Sequence, residues 1–358
     1  MASDSRVRNS FARIGTTPDE ALADWFVEDP LTIAVPDHTR PLNPIAALEA
    51  VRVRSAHEPR IVVGLGLHRK MSQKELGGLR KWNIRQHDPD WVAHTDNVDG
   101  IVGAVAPEFV ESLGLSIGVA ELHQYAGLSG GHKGISVGCG GRETIAGLHH
   151  TDRILKEGVC VGQIQGNPFR GLIDALGRAA NSKWALVWAP ALKLWFFGGP
   201  ELVLQAISER INPWVWLDHP CSRIGLIVPS AKAKSLYQAS RAATYLSSSP
   251  YPVVSEGGTI CLEASCEEGL GSEQGFVQAL RDKESWMALL KGKPPKGAGA
   301  QRAVMLALLY ERYNLVLYGV SSPQIFTELG IEAYRETLPQ GIYRVNDPFN
   351  QIPQWRGA

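Results

Sequence analysis

Between Ala120 and His150 the chain reads AELHQYAGLSGGHKGISVGCGGRETIAGLHH, which gathers four kinds of chemistry into one short stretch. His123 carries an imidazole that titrates near neutral pH and can take or give a proton. The turn from Gly127 to Gly131 can point successive backbone N–H groups at an anion, with the Ser129 hydroxyl as a further donor. Lys133 follows directly, and a lysine amine can pair with a phosphate or anchor a cofactor covalently. His149 and His150 are potential metal ligands, but neighbours on a helix point about 100° apart and cannot easily share one ion. Spacing alone therefore speaks against a metal held by the pair, and a single ligating imidazole needs its other donors from elsewhere, such as a cofactor.

Two upstream clusters look like parts of the same site. Asp37-His38-Thr39-Arg40-Pro41 offers an acceptor, a hydroxyl and a guanidinium able to grip carboxylate or phosphate through two N–H groups. Gly66-Leu67-His68-Arg69 offers a second imidazole, and two histidines from separate strand ends suit a reaction needing a base on each face of the substrate, such as racemisation. Each group also has a plain alternative. The glycines make an ordinary turn, Lys133 a solvated surface residue, either histidine a hydrogen-bonded structural one, and Asp37 or Thr39 a helix cap. The glycine turn matches neither the Walker loop nor the dinucleotide fingerprint, so ordinary ATP or NAD binding is not indicated.

The elements that must position these groups follow from apolar runs and their punctuation. LTIAV (31–35) and RIVVGL (60–65) read as buried strands, each ending in a polar loop that carries one of the clusters. PLNPIAALEAVRVRS reads as a helix opened by prolines, and Ser72-x-x-Glu75 has capping-box form. VAPEFVESLGL then reads as a helix and SIGVAEL as a strand, with His123 just beyond. Three strand–loop–helix units predict a largely parallel sheet, in which ligands gather beyond the carboxyl ends of the strands. Trp184 to Gly199, broken by Pro190 and Lys193, reads as two buried strands or a strand and a turn, too short to span a bilayer. A second α/β block follows near Asp218, with the strand CSRIGLIVPS, the helix AKAKSLYQASRAATYL, the strand EGGTICLEAS, a Pro/Gly/Lys stretch KGKPPKGAGAQ and the strand YNLVLYGV.

The expected fold class is thus α/β, as two α/β domains with largely parallel sheets and the active site in a cleft between them. The first domain is expected over 1–217 and the second over 218–340, with the tail 341–358 packing back on the first. Composition fits this reading: 358 residues, 44% apolar and 20% charged, with 36 basic against 36 acidic side chains. No net field draws nucleic acid or an anionic membrane, so neither is an expected partner. Five cysteines without CxxC spacing suit a reducing cytoplasm, and the N-terminus lacks the apolar core of a secretory signal.

Taken together, Asp37-His38-Thr39-Arg40-Pro41, Gly66-Leu67-His68-Arg69, His123-x-Tyr-Ala-Gly-x-Ser-Gly-Gly-x-Lys133 and Thr144-Ile145-x-x-x-His149 resemble the nickel-pincer nucleotide-dependent lactate racemase family. Tyr237-Gln238-x-x-Arg241 and Glu256-Gly-Gly-Thr-Ile260 extend the resemblance over roughly residues 30 to 330. The order and spacing of the motifs make it specific.

The resemblance implies an isomerase, a racemase or epimerase of a 2-hydroxy acid or sugar acid. It implies a cofactor, nickel pyridinium-3,5-bisthiocarboxylic acid mononucleotide, attached covalently at Lys133, with His149 as the protein ligand to nickel and dedicated cofactor-biosynthesis enzymes as partners. His68 and His123 match the paired acid/bases, one for each face of the substrate. Gln238 and Arg241 match the substrate-holding positions, assisted by Arg40. Asp37, Thr39, Arg40 and the loop Ser129, Gly130 and Gly131 would hold the ribose and phosphate, and His150 has no role. Alternatives on the same framework are a cofactor-linked dehydrogenase or dehydratase of a hydroxy acid, and a non-catalytic small-molecule-binding homologue. The sequence departs from the family at Arg241, where lysine is usual, at His132 in place of arginine, at Lys70 in place of proline, at Gly138-Cys139-Gly140 in place of a proline-containing turn, and in the 293–301 loop, which lacks an aromatic. These departures leave lactate itself open as the substrate.

Overall fold

The structure is a computed structural model that describes residues 11–272, 274–281 and 299–356. It is a mixed α/β fold with mostly parallel sheets, and the chain divides into two compact units. The first takes the chain up to Glu121 together with Leu128–Leu148 and Gln163–Asn212; the second takes Leu122–Gly127, His149–Gly162 and everything from Pro213.

The first unit is built on seven strands: β1 (Arg13–Gly15), β2 (Leu31–Pro36), β3 (Arg60–Gly64), β4 (Ile84–Gln86), β5 (Leu113–Val119), β6 (Ser182–Ala189) and β7 (Leu194–Gly198). Their order is β1-β7-β6-β5-β2-β3-β4, with β6, β5, β2, β3 and β4 parallel and β7, near one edge, antiparallel to both its neighbours β6 and β1. β2 lies between β5 and β3, which is why its apolar run is unbroken rather than alternating. Leu31, Ile33 and Val35 join one core cluster with Ile61, Val63 and Leu115, while Ala34 and Val62 join Ile135 and Cys139 in another. That two-residue alternation between clusters is the strand pleat.

The run Trp184 to Gly199 is the β6–β7 hairpin, turning at Lys193, whose φ is 54°. The prolines at 41 and 44 lead into α1 (Ile45–Arg52), and Ser72 and Glu75 close the expected capping box. The helix expected across 105–115 is only Glu108–Glu111, because β5 already begins at Leu113.

The second unit carries β8 (Cys221–Ile227), β9 (Val254–Glu263), β10 (Asn314–Tyr318), β11 (Glu332–Ala333) and β12 (Tyr343–Val345), all parallel in the order β11-β10-β9-β8-β12. The division of the chain differs from the expected cut at 217/218. The tail, expected on the first unit, instead joins strands of the second: β12 pairs with β8, and Ile352–Trp355 pairs with Trp214–Leu217. Its buried Val345, Phe349 and Ile352 account for this, since the second unit's sheet edge and helices offer them cover. Most of the Pro/Gly/Lys stretch, including residues 293–298 of the aromatic-free loop, lies outside the described residues. All five cysteines are free thiols, and burial pushes Cys266 up to about 12. Among the described residues no helix is long and apolar enough to cross a membrane.

Candidate active site

Three loops leave the carboxyl ends of the adjacent parallel strands β2, β3 and β5, and they carry the first unit's chemical groups. After β2, Asp37 is buried and accepts the Thr39 backbone N–H (3.1 Å) and hydroxyl (2.5 Å) on Oδ1, an Asx turn that fixes the loop. Its Oδ2 meets His68 Nδ1 at 2.7 Å. Burial alone would raise the Asp37 carboxyl, but the His68 hydrogen bond and charge, with Thr39 and the Arg40 cation, hold it at about 2. The carboxylate therefore accepts the Nδ1 proton of His68, and the network assigns the ring's Nε2 as its lone-pair nitrogen.

Asp37 and Thr39, which the resemblance assigns to the nucleotide, are thus bonded to one another, and Asp37 is bonded also to His68. Arg40 is likewise engaged: its Nη1 donates to Glu121 Oε2 at 2.9 Å, and Glu121 is buried. Sequence reasoning missed Glu121, because nothing in the spacing reveals that a residue after β5 meets one after β2.

Ser129 gives its hydroxyl to the Val119 carbonyl (2.6 Å) and accepts the Glu121 N–H (3.0 Å). Its side chain is spent inside the fold, which leaves backbone N–H groups as the loop's means of meeting an anion. Gly130 and Gly131 have φ of +92° and +62°, and a Cβ on Gly131 would come within 2.8 Å of Leu204, so the turn itself demands both glycines.

Lys133 opens the short helix α2 (Lys133–Ser136), which lies tightly on the sheet. A Cβ on Gly134 would reach 2.9 Å from Ser116 of β5. The return turn meets the end of β3: Gly66 N–H donates to the Gly138 carbonyl at 2.8 Å, and a Cβ on Gly64 would sit 3.1 Å from the Gly138 backbone. The unusual Gly138-Cys139-Gly140 is thus a close-packing device that brings the lysine's helix onto the strand end bearing His68.

The second unit holds the other groups. His123 Nδ1 accepts the backbone N–H of Tyr125 (3.3 Å) and Ala126 (3.1 Å), which assigns the proton of the neutral ring to Nε2. Tyr125 stands edge-on to both His123 and His149, with ring centroids 5.9 and 6.0 Å apart. Burial, opposed by the Arg302 charge, pushes its phenol up to about 12, so it is neutral.

His149 does not ride on a helix as expected, because α3 (Arg142–Leu148) ends one residue before it. His150 is exposed beside Asp152 at 3.5 Å. Among the described residues no three His, Cys, Asp or Glu side chains cluster to hold a metal ion. A metal at His149 would need its remaining donors from beyond these side chains.

The next long helix, α4 (Pro168–Ala179), belongs to the first unit; on α5 (Leu236–Ser247), Gln238 and Arg241 share a face: Arg241 Nη1 donates to Gln238 Oε1 (3.3 Å) and Nη2 to the Tyr245 hydroxyl (2.9 Å). The Glu256–Ile260 motif is structural. Gly257 has a φ of +73° at the start of β9, and Glu256 pairs with Arg312. Sequence reasoning also missed Gln124, Thr244 and Arg302, three buried polar residues joined by hydrogen bonds. For Thr244 and Arg302, polarity inside an otherwise apolar helical pattern is the only signal; Gln124, in the turn after Leu122–His123, offers none.

Residues 17–159 match the family model described as the lactate racemase N-terminal domain. No curated protein matches the chain. Among solved structures, the fold is similar to that of the lactate racemase apoprotein from Thermoanaerobacterium thermosaccharolyticum, with a TM-score of 0.79 and 17% identity over 97% of this chain and 95% of that one. It is also similar to a Thermotoga maritima protein from a structural genomics programme, with a TM-score of 0.71 and 15% identity over 95% of this chain and 96% of that one. At these identities the likeness is one of fold.

Proposed function

We propose that this chain, with its lactate racemase-like N-terminal domain and fold, is a racemase or epimerase of a 2-hydroxy acid that works with a nickel-pincer nucleotide. The observation that carries the reading is the state of the two histidines. Each has Nδ1 committed, His68 to a buried carboxylate and His123 to two backbone amides, so each works through Nε2. A pair of imidazoles with one working nitrogen each is what interconversion of two enantiomers requires.

When bound, the nucleotide supplies a hydride acceptor for C2 of the substrate. The chain's own residues do the rest. Lys133 tethers the nucleotide and His149 supplies one ligand to its nickel. Gly130 and Gly131 offer backbone N–H groups to its phosphate. Gln238 and Arg241 hold the substrate carboxylate, the guanidinium as a charged donor. His68 Nε2 takes the hydroxyl proton of one enantiomer, and His123, whose Nε2 carries the proton of its neutral ring, presents that N–H to the substrate oxygen on the other face.

The test is intact mass and metal content of the chain produced together with pincer-nucleotide biosynthesis enzymes. The expected result is a covalent adduct mapping to Lys133 with stoichiometric nickel, and loss of the adduct in Lys133→Ala. An adduct that persists in the variant, or a chain that stays unmodified and nickel-free, overturns the assignment.

A further inference from the structure

The second unit buries a cation among neutral hydrogen-bond acceptors. Arg302 lies on α6 (Ala300–Arg312) with 7% of its surface exposed. Its Nη1 donates to Gln124 Oε1 (2.8 Å) and Thr244 Oγ1 (3.1 Å), both neutral acceptors. Among the described residues it meets no carboxylate, and its Nε has no acceptor. Gln124 is as deeply buried. Its oxygen is shared between Arg302 and Thr244, and its Nε2 has no partner among the described residues.

Two unmatched donors, one on a charged group, buried this deeply are expensive to leave so. What would satisfy both is a negatively charged acceptor. A carboxylate fits the planar fork of a guanidinium best.

The place of the pair within the unit says whose carboxylate this is. Gln124 is the residue after His123, and the Arg302 guanidinium lies 5.9 Å from the ring of Tyr237, the neighbour of Gln238. Arg241 already binds Gln238 and Tyr245, and one guanidinium suffices for the C1 carboxylate of a hydroxy acid. The charges also point this way. Burial would raise the Tyr245 phenol, yet Arg241, Lys232 and Arg302 together bring it below its usual range.

We propose that Arg302 and Gln124 form a second anion subsite that selects 2-hydroxy acids carrying a distal carboxylate. The assignment to substrate rests on the racemase reading above, but the subsite can be tested without the cofactor.

The experiment is calorimetric titration of the full-length apoprotein with malate, one enantiomer at a time, against lactate as the monocarboxylate of the same chemistry. Malate should bind at least about tenfold more tightly, the order expected for one added charge-assisted pair. Arg302→Gln should bring the malate-to-lactate ratio close to one. Gln124→Glu, which keeps the guanidinium but gives it an internal carboxylate, should do the same. Because that variant retains Arg302 and its volume, it guards against a ratio lost through misfolding, and thermal melts of both variants check this directly.

Equal affinities for the two acids, no binding of either, or a preference that survives both substitutions overturns the proposal. Failure of nickel loading or of racemisation leaves the binding ratio standing and counts only against the racemase reading. A loaded enzyme that handles lactate while the apoprotein shows no malate preference counts only against the subsite.

Discussion

His68 shows how one buried carboxylate turns an exposed imidazole into a directed base. Asp37 is held at about 2, so it stays ionised across the whole neutral range and keeps the Nδ1 proton of His68 in place. Asp37→Asn conserves shape but replaces the charged acceptor by an amide whose NH₂ cannot accept that proton. The ring then has no reason to present Nε2 as its lone pair. The variant should lose about 10²-fold or more in kcat while KM changes little, as for removal of a group that acts through the base. Steady-state racemisation by the nickel-loaded protein checks this, and an unchanged kcat would remove Asp37 from the mechanism. The motif Asp37-x-Thr39-Arg40 was legible in the sequence as a cluster of polar groups. What they bind was not, because Asp37–His68 and Arg40–Glu121 join residues from different strand ends and only the sheet order brings them together.

At the scale of elements, the strands were readable wherever a strand is buried on both faces. LTIAV and RIVVG gave unbroken apolar runs because β2 and β3 lie inside the sheet. Element ends were less readable, since the stop of α3 before His149 and the early start of β5 depend on tertiary contacts rather than on local preference. The turn after α2 has a pH sensitivity of its own. His87, just after β4, donates from Nε2 to the Gly140 carbonyl at 2.9 Å, while its Nδ1 is buried with no partner among the described residues. Burial lowers its pKa, and the Gly140 bond only partly resists this. The folded state therefore resists a proton that the unfolded chain accepts near pH 6.5, so unfolding takes up protons as pH falls. Stability from this group is complete above about pH 6.5 and declines below it. Calorimetric melting temperatures should be level above neutrality and fall on the acid side, and His87→Gln should flatten that fall. An acid decline of the same size in the variant would assign it to other groups.

For the molecule as a whole, the chain order does not match the division into units. The segments Leu122–Gly127 and His149–Gly162 leave the first unit and are built into the second, taking His123, Gln124, Tyr125 and His149 with them. A reading along the sequence places a boundary near 217 because a new strand–helix alternation begins there. No local signal shows that two segments, twenty residues in all, in the middle of an apparent first domain belong elsewhere. The consequence is measurable. A fragment beginning at Pro213 contains α6 and Thr244 but lacks Gln124, so the buried Arg302 keeps only one of its two acceptors. Losing a hydrogen bond to a buried charged group costs roughly 1.5–3 kcal/mol, which corresponds to about a 10- to 100-fold loss of protection against amide exchange. Hydrogen exchange along Ala300–Arg312 should therefore be faster in the 213–358 fragment than in the intact chain by at least that factor. Restoring the missing segment by linking residues 120–162 ahead of Pro213 should recover part of the protection. If the bare fragment protects this helix as well as the full chain does, the middle segments contribute nothing to the second unit's stability, and a cut near 217 is the true one.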